Sequence, residues 1–515
     1  MSRWSKPTLT VAGSLLGALV SLAGAAAPAA GQTIGPRSFT DTDLADPAFA
    51  DHLPRAVVQS HKRLAFDAEF SYSQATLWAV TSSGIRERRF DSYSRAWAPW
   101  VTRGNHTAVD RIGDIAPVAS TIAPSLWGRN LAMTAGHDGS SAKVRGFFPF
   151  ADASGTGRVG LPTLTGRAQP IDLYGQPYPG APTYDWRRLA QPAGGFIPRT
   201  GFSRTASGSE RVNVFGTDAL GQNLVEAFWN GSTWTFSTHA LPVAGGSPSV
   251  KIGSQSAVWD AANGRGYVFV EIKFYASGTS VDDGVWCRYW NGSQWTWVPL
   301  GTSIHGSTTG ANEYGLAAVG YPLDGQFHVR VYAVFRSIDT SPANQDALYE
   351  MHIVGAPQGV PIASGRRSGP WTYFVRPPAP AGVTSGWSTT PFRMTSAVVW
   401  YEGTRGVAAN LRIDVFGYAD QGALVHFERT PTTWSWAASR TAPGGDAIRV
   451  DSAFVVDEGT YDRISAIGRT RSGRIIERYR VIDAGVDQGY AWLDHTLYTL
   501  QPIGPISPIS SPLLP

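Results

Sequence analysis

Apolar and polar positions alternate in short runs along most of this chain, and polar turns interrupt them. The clearest run is Asn223 to Thr238, Asn-Leu-Val-Glu-Ala-Phe-Trp-Asn-Gly-Ser-Thr-Trp-Thr-Phe-Ser-Thr. Leu224, Val225, Phe228 and Trp229 suit a pleated surface. Asn230-Gly231 is a hairpin signal, and Trp234, Thr235 and Phe236 open a returning strand. The same pattern returns at Val285 to Val298, Val-Trp-Cys-Arg-Tyr-Trp-Asn-Gly-Ser-Gln-Trp-Thr-Trp-Val. A hairpin used twice points to a repeat architecture.

Seven copies of this apolar strand are expected, starting at Ile85, Lys143, Leu224, Val285, Leu348, Leu424 and Ile475. All but the second are followed by a Trp-bearing strand. A further strand precedes each hairpin. Arg211-Val-Asn-Val-Phe, Arg412-Ile-Asp-Val-Phe and Arg463-Ile-Ser-Ala-Ile match one another closely. Arg265-Gly-Tyr-Val-Phe, Arg330-Val-Tyr-Ala-Val and Arg129-Asn-Leu-Ala-Met are looser, and Ala75-Thr-Leu-Trp lacks the Arg. Before it lies a strand rich in small residues, as in Ser256-Ala-Val-Trp and Ser396-Ala-Val-Val-Trp. Such residues suit the crowded inner strand of a radial array.

Four-stranded antiparallel units repeated seven times predict an all-β fold, a seven-bladed β-propeller over residues 56–500. An open solenoid is the alternative. Composition agrees: of 515 residues, 57 are Gly and 35 Pro, and aromatics make 12%, a turn-rich and helix-poor mix.

The flanks differ. Arg3 and Lys6, the apolar run Leu9 to Ala23, and Ala27-Pro28-Ala29 read as a secretory signal peptide over residues 1–30. An uncleaved membrane anchor is the alternative. No other segment is apolar enough to span a bilayer. The expectation is an exported protein, secreted or periplasmic, with no membrane span after cleavage and of bacterial origin. Residues 31–55 read as an N-terminal arm or linker, and residues 501–515, with five prolines, as a disordered tail. The single Cys287 lies in a strand and is expected to be a small buried residue.

Net charge is +4 and no Lys/Arg cluster occurs, so no nucleic-acid partner is expected. No catalytic motif, no metal-ligand spacing and no cofactor motif is present. The remaining constellation is Arg on the second strand, Glu at the centre of the third and Trp on the fourth. Three copies hold all three: Arg211, Glu226 and Trp234; Arg330, Glu350 and Trp371; Arg463, Glu477 and Trp492. A guanidinium and a carboxylate can hydrogen-bond adjacent sugar hydroxyls, and an aromatic face can stack on a pyranose. The alternative is that Arg and Glu pair across strands within each sheet while Trp is core.

Trp290-Asn-Gly-Ser-Gln-Trp-Thr-Trp297, following an Arg-bearing strand and a Leu-x-Glu-type strand, resembles the blades of fucose-binding β-propeller lectins. These include a fungal type and a bacterial seven-bladed type. The resemblance implies monosaccharide sites between adjacent blades, each using an Arg, a Glu and an aromatic residue. Carried over, they fall on the three triads above. Copy four has Cys287 where Glu would sit, copy six has His426 and copy two has Arg145. The expected function is glycan binding without catalysis. A protein-interaction scaffold is the alternative, then a glycan hydrolase or lyase with an axial site. Asn230 and Asn291 head sequons, read here as turn chemistry; a third sequon is at Asn105.

Overall fold

A computed structural model describes residues 55–65, 68–81, 84–91, 95–97, 99–103, 132–137, 142–151, 157–163, 185–188 and most of 196–495. The proposed signal peptide, the segment up to residue 54 and the Pro-rich tail lie outside these residues, as does the sequon at Asn105.

The described residues form seven antiparallel sheets. The first holds Arg55–Ala65, Ala68–Thr81, Gly84–Asp91 and Ala96–Trp97, with Val101–Arg103 added against the third strand. The second holds Ala132–His137, Ala142–Ala151, Gly157–Thr163 and Asp185–Arg188. The third holds Ile197–Ala206, Ser209–Thr217, Leu224–Trp229 and Trp234–His239. The fourth holds Ser249–Asp260, Arg265–Ala276, Thr279–Trp290 and Trp295–Ser303. The fifth holds Leu316–Leu323, Gln326–Ser337, Gln345–Val354 and Thr372–Phe374. The sixth holds Phe392–Tyr401, Leu411–Ala419, Leu424–Arg429 and Trp434–Arg440. The seventh holds Ile448–Asp457, Tyr461–Thr470, Ile475–Asp483 and Val486–Asp494. Among the described residues the one helical segment is the 3₁₀ turn Ala408–Asn410.

The first strand of every sheet packs against the first strand of the next, and that of sheet seven against that of sheet one. This closed cycle makes the fold a β-propeller with the small-residue strands innermost. Hydroxyls stitch that inner circle. Ser256 Oγ accepts the Ala318 amide of the following sheet at 3.0 Å, and Ser396 Oγ accepts the Ala453 amide at 3.0 Å. The inner strands of sheets six and seven also carry a bulge against their second strands. There Gly417 comes so close to the Arg393 carbonyl that a Cβ would stand 1.8 Å from its oxygen. Only glycine allows that approach.

Both faces of a strand are apolar because each sheet is covered on both sides. Val268, Ile272 and Trp286 of sheet four join Phe215 of sheet three in one core. Tyr267 and Cys287, on the opposite face, join Val331 and Tyr349 of sheet five in another. Cys287 is fully buried, as expected, and burial pushes its thiol well above the ordinary range.

Asn230 and Asn291 head the same four-residue turn. Asn230 Oδ1 accepts the amides of Ser232 and Thr233, and Asn291 Oδ1 those of Ser293 and Gln294. Thr430 builds this turn a third time, its Oγ1 accepting the Thr432 and Thr433 amides. Sheet two corrects one assignment. The strand containing Lys143 is the second of its sheet, and Arg145 pairs with Thr134 there. The expected alignment of that copy is therefore shifted by one strand. The sequence Asp138-Gly139, itself a hairpin signal, separates its first two strands, and its Trp186 stands far along the chain on the fourth strand.

Candidate junction sites

Successive side chains on a strand face opposite ways. The third-strand carboxylates Glu226, Glu350 and Glu477 face the following sheet. The fourth-strand aromatics Trp97, Trp295 and Trp434 face the preceding one. Carboxylate and aromatic therefore meet between sheets.

At the junction of sheets seven and one, Glu477 is fully buried. Arg463 grips it with Nε at 3.0 Å and Nη2 at 2.9 Å, and Ser465 Oγ donates at 2.5 Å. His495 Nε2 donates at 2.9 Å and Trp97 Nε1, from sheet one, at 3.2 Å. Burial alone would raise this carboxyl, but Arg463 and His495 outweigh it and hold it at about 2. Burial depresses His495, which stays neutral, so its Nδ1 accepts a bond from Arg88 Nη1 of sheet one at 3.0 Å. Trp97 stands edge-on to the His495 ring at 4.6 Å. Arg95 closes the rim on Asp483, with a second bond of 2.9 Å.

The junction of sheets three and four repeats this design. Glu226 accepts from Asn213 Nδ2 at 2.5 Å and from His239 Nε2 at 2.9 Å. His239 Nδ1 accepts from Arg288 Nη2 of sheet four at 3.3 Å. Trp295 stands 5.4 Å from Phe215 and 5.8 Å from His239. Trp297 Nε1 donates to the Ala240 carbonyl at 2.7 Å.

At the junction of sheets five and six, Glu350 pairs with Arg330 Nη1, while Arg330 Nε donates to Tyr321 at 2.8 Å. Arg429 Nε, from sheet six, reaches the second carboxylate oxygen at 3.4 Å. Trp434, directly opposite Arg429 in register, stacks on Phe427 at 5.9 Å and meets Phe374 of sheet five edge-on at 5.0 Å. Trp434 is 40% exposed, and it is the one tryptophan among the exposed large apolar residues described.

The junction of sheets six and seven has no Glu at this position. His426 Nε2 donates to Asp414 Oδ1 at 2.7 Å, and Trp400 Nε1 donates to Asp414 Oδ2 at 2.5 Å. Tyr490 of sheet seven donates to Glu428 at 2.6 Å. Asp414, His426 and Glu428 are the one group of three or more such side chains among the described residues whose atoms converge as metal ligands do. Arg480 stands 3.9 Å from Glu428, a cation already in place.

The expected triads are thus regrouped. Arg330–Glu350 and Arg463–Glu477 do pair, within their own sheets and buried. Glu226 binds Asn213 and His239 rather than Arg211, which lies opposite Arg204. Trp234 faces away from Glu226, against Trp229 at 5.5 Å. Trp371 is buried and donates to the Leu300 carbonyl of sheet four at 2.8 Å. Trp492 lies beneath Arg478 at 5.2 Å, on the face turned from Glu477. Grouping by copy missed Trp97, Arg88, Arg288, Arg429, Trp434, His239 and His495. The strand alternation that assigns faces is the signal that finds the aromatics. Glu87 lies on the third strand of sheet one, opposite Trp78.

No family model matches this chain, and no curated protein does. Several solved propellers are distantly similar. The fungal lectin of Aleuria aurantia, a six-bladed β-propeller with a fucose recognition mode, shares 13% identity at a TM-score of 0.37, covering 73% of this chain and 95% of that one. The SapL1 lectin, solved with alpha methyl fucoside, shares 15% identity at 0.37, covering 73% and 98%. The polysaccharide lyase Uly1 shares 7% identity at 0.38, covering 86% and 89%.

Proposed function

We propose that this protein is an exported carbohydrate-binding propeller without catalytic activity, which takes sugar units at the junctions between successive sheets. The junction of sheets five and six carries the reading. Its exposed Trp434 lies beside Arg429, whose charge is aimed by Glu350. An open aromatic surface next to a fixed guanidinium suits a sugar ring and its hydroxyls. Related clusters at two other junctions would add avidity.

The nine residues expected from sequence then divide in role. Arg330 and Glu350, with Arg463 and Glu477, position the junction groups from behind. Glu226 orients His239 and shares its face with Arg211, while Trp234, Trp371 and Trp492 lie on other faces of their sheets. Saturated carboxylates support a binding protein over a hydrolase: Glu477 already accepts from four side chains. Export rests on the segment Arg3 to Ala29.

A glycan array probed with the purified chain tests the reading. Fucosylated, methylated or mannose-type glycans should bind, and Trp434→Ala should lose most of that signal while remaining folded. Silence on every glycan overturns it and leaves the protein-interaction scaffold.

A further inference from the structure

The second and third strands of sheet five bring two histidines together at one end of that sheet. His328 Nδ1 and His352 Nε2 are 2.9 Å apart. Their rings meet edge to edge, with centroids 5.1 Å apart and planes 23° from parallel. Tyr321, itself buried, stacks on His328 at 5.6 Å and 17°, which fixes that ring before any ligand arrives. His352 is exposed and His328 half-buried. The pair has no part in the junction contacts described above.

In the ion-free protein one ring donates its N–H to the other's lone pair. We propose that His328 and His352 are also the two protein ligands of a divalent late first-row transition ion, Cu²⁺ above all. Imidazole nitrogens are good ligands for this part of the series, and Cu²⁺ heads its affinity order. Geometry selects within it. Two bonds of about 2.0–2.1 Å spanning this separation meet at about 90°. That is the angle between neighbouring ligands in a square-planar or tetragonal Cu²⁺ or Ni²⁺ site, narrower than the tetrahedral angle Zn²⁺ adopts.

Entry of the ion needs no net loss of a proton. The ring that donated the shared hydrogen passes it to its other nitrogen, a change of tautomer, and rotation of the exposed His352 ring turns both lone pairs toward the metal. Two positions remain for water or a hydroxyl-bearing ligand. The local charge tolerates a cation. Arg330 and Arg429, the two guanidinium groups that act on His352, both engage Glu350, and Asp324 acts on His328 from the adjacent turn. The site does not depend on sugar binding, although His352 lies two residues from Glu350 on the same strand face.

Titration of chelator-treated protein with Cu²⁺, followed by electron paramagnetic resonance and calorimetry, tests the site. The signal of one bound equivalent should show coupling to two imidazole nitrogens. His328→Gln and His352→Gln should each abolish that two-nitrogen signal. Affinity for that equivalent should fall by more than the ~10–100-fold that loss of an outer-shell partner costs. Zn²⁺ should compete poorly. An unchanged equivalent in either variant, or a wild-type signal without two-nitrogen coupling, overturns the proposal. The wild-type spectrum decides on its own if a variant fails to fold.

Discussion

The indole of Trp97 donates its N–H to Glu477 across 380 residues of chain, at 3.2 Å. The bond joins the first sheet to the last, and its acceptor is a fully buried carboxylate. Trp97→Phe keeps a ring against His495 but removes the donor. A hydrogen bond to a charged group contributes about 1.5–3 kcal/mol. The variant should unfold at lower urea by that order, with little change in the slope of the transition.

Glu477→Gln should cost more. It leaves Arg463 buried without its counter-charge, and breaking a buried pair on one side costs about 3–5 kcal/mol. Glu226→Gln removes a carboxylate held by Asn213 and His239, with no bidentate guanidinium, and should cost less. Urea unfolding of both variants checks the ranking. Equal losses would mean that Arg463 does not depend on Glu477 as its geometry indicates.

Acid should weaken the fold in two windows. His495 is held neutral by burial, so its ionisation lies below the ordinary value of about 6.5. As pH falls through ~6.5 the unfolded chain takes a proton that the folded chain does not, and stability drops. Glu477 behaves as a depressed carboxylate. Its contribution is complete above the unfolded value of about 4.3 and is lost as pH falls from there through about 2. Thermal unfolding across this range should show both slopes. His495→Gln should reduce the upper one and leave the lower one in place.

Gly417→Ala would set a methyl against the Arg393 carbonyl on an inner strand that is packed on both sides. Backbone cannot swing away as a flexible side chain can. Overpacking of this kind costs about 1–3 kcal/mol. Gly231→Ala, in the exposed Asn230 turn at a φ of 96°, tests conformational strain without crowding. Melting temperatures of the pair separate the two causes.

Much of the ring could be read from the chain, because a strand announces itself by alternation and an Asn-Gly pair by its turn. The Arg211, Arg412 and Arg463 strands fall at equivalent places in their sheets. Thr430-Pro431-Thr432-Thr433 was opaque, since Thr does the work of Asn through a single hydroxyl. The junction groups were opaque for a geometric reason. Within one copy Glu477 and Trp492 are close in sequence, yet strand alternation turns them to opposite faces. Trp97 and Glu477, or Arg429 and Glu350, do meet, yet they belong to different copies. Packing of one sheet on the next brings them together.

That closure has a temporal side. Synthesis runs from the N-terminus, so Arg88, Phe90 and Trp97 leave the ribosome long before Tyr461, Glu477 and His495. Until the seventh sheet arrives, the first presents an uncovered apolar edge, and the Asp483 that Arg95 engages does not yet exist. Phe90 in the finished ring is fully buried and lies 6.4 Å from Tyr461. A nascent or truncated chain ending before residue 448 keeps that edge open to any passing surface, so holdase chaperones should favour it over the completed ring.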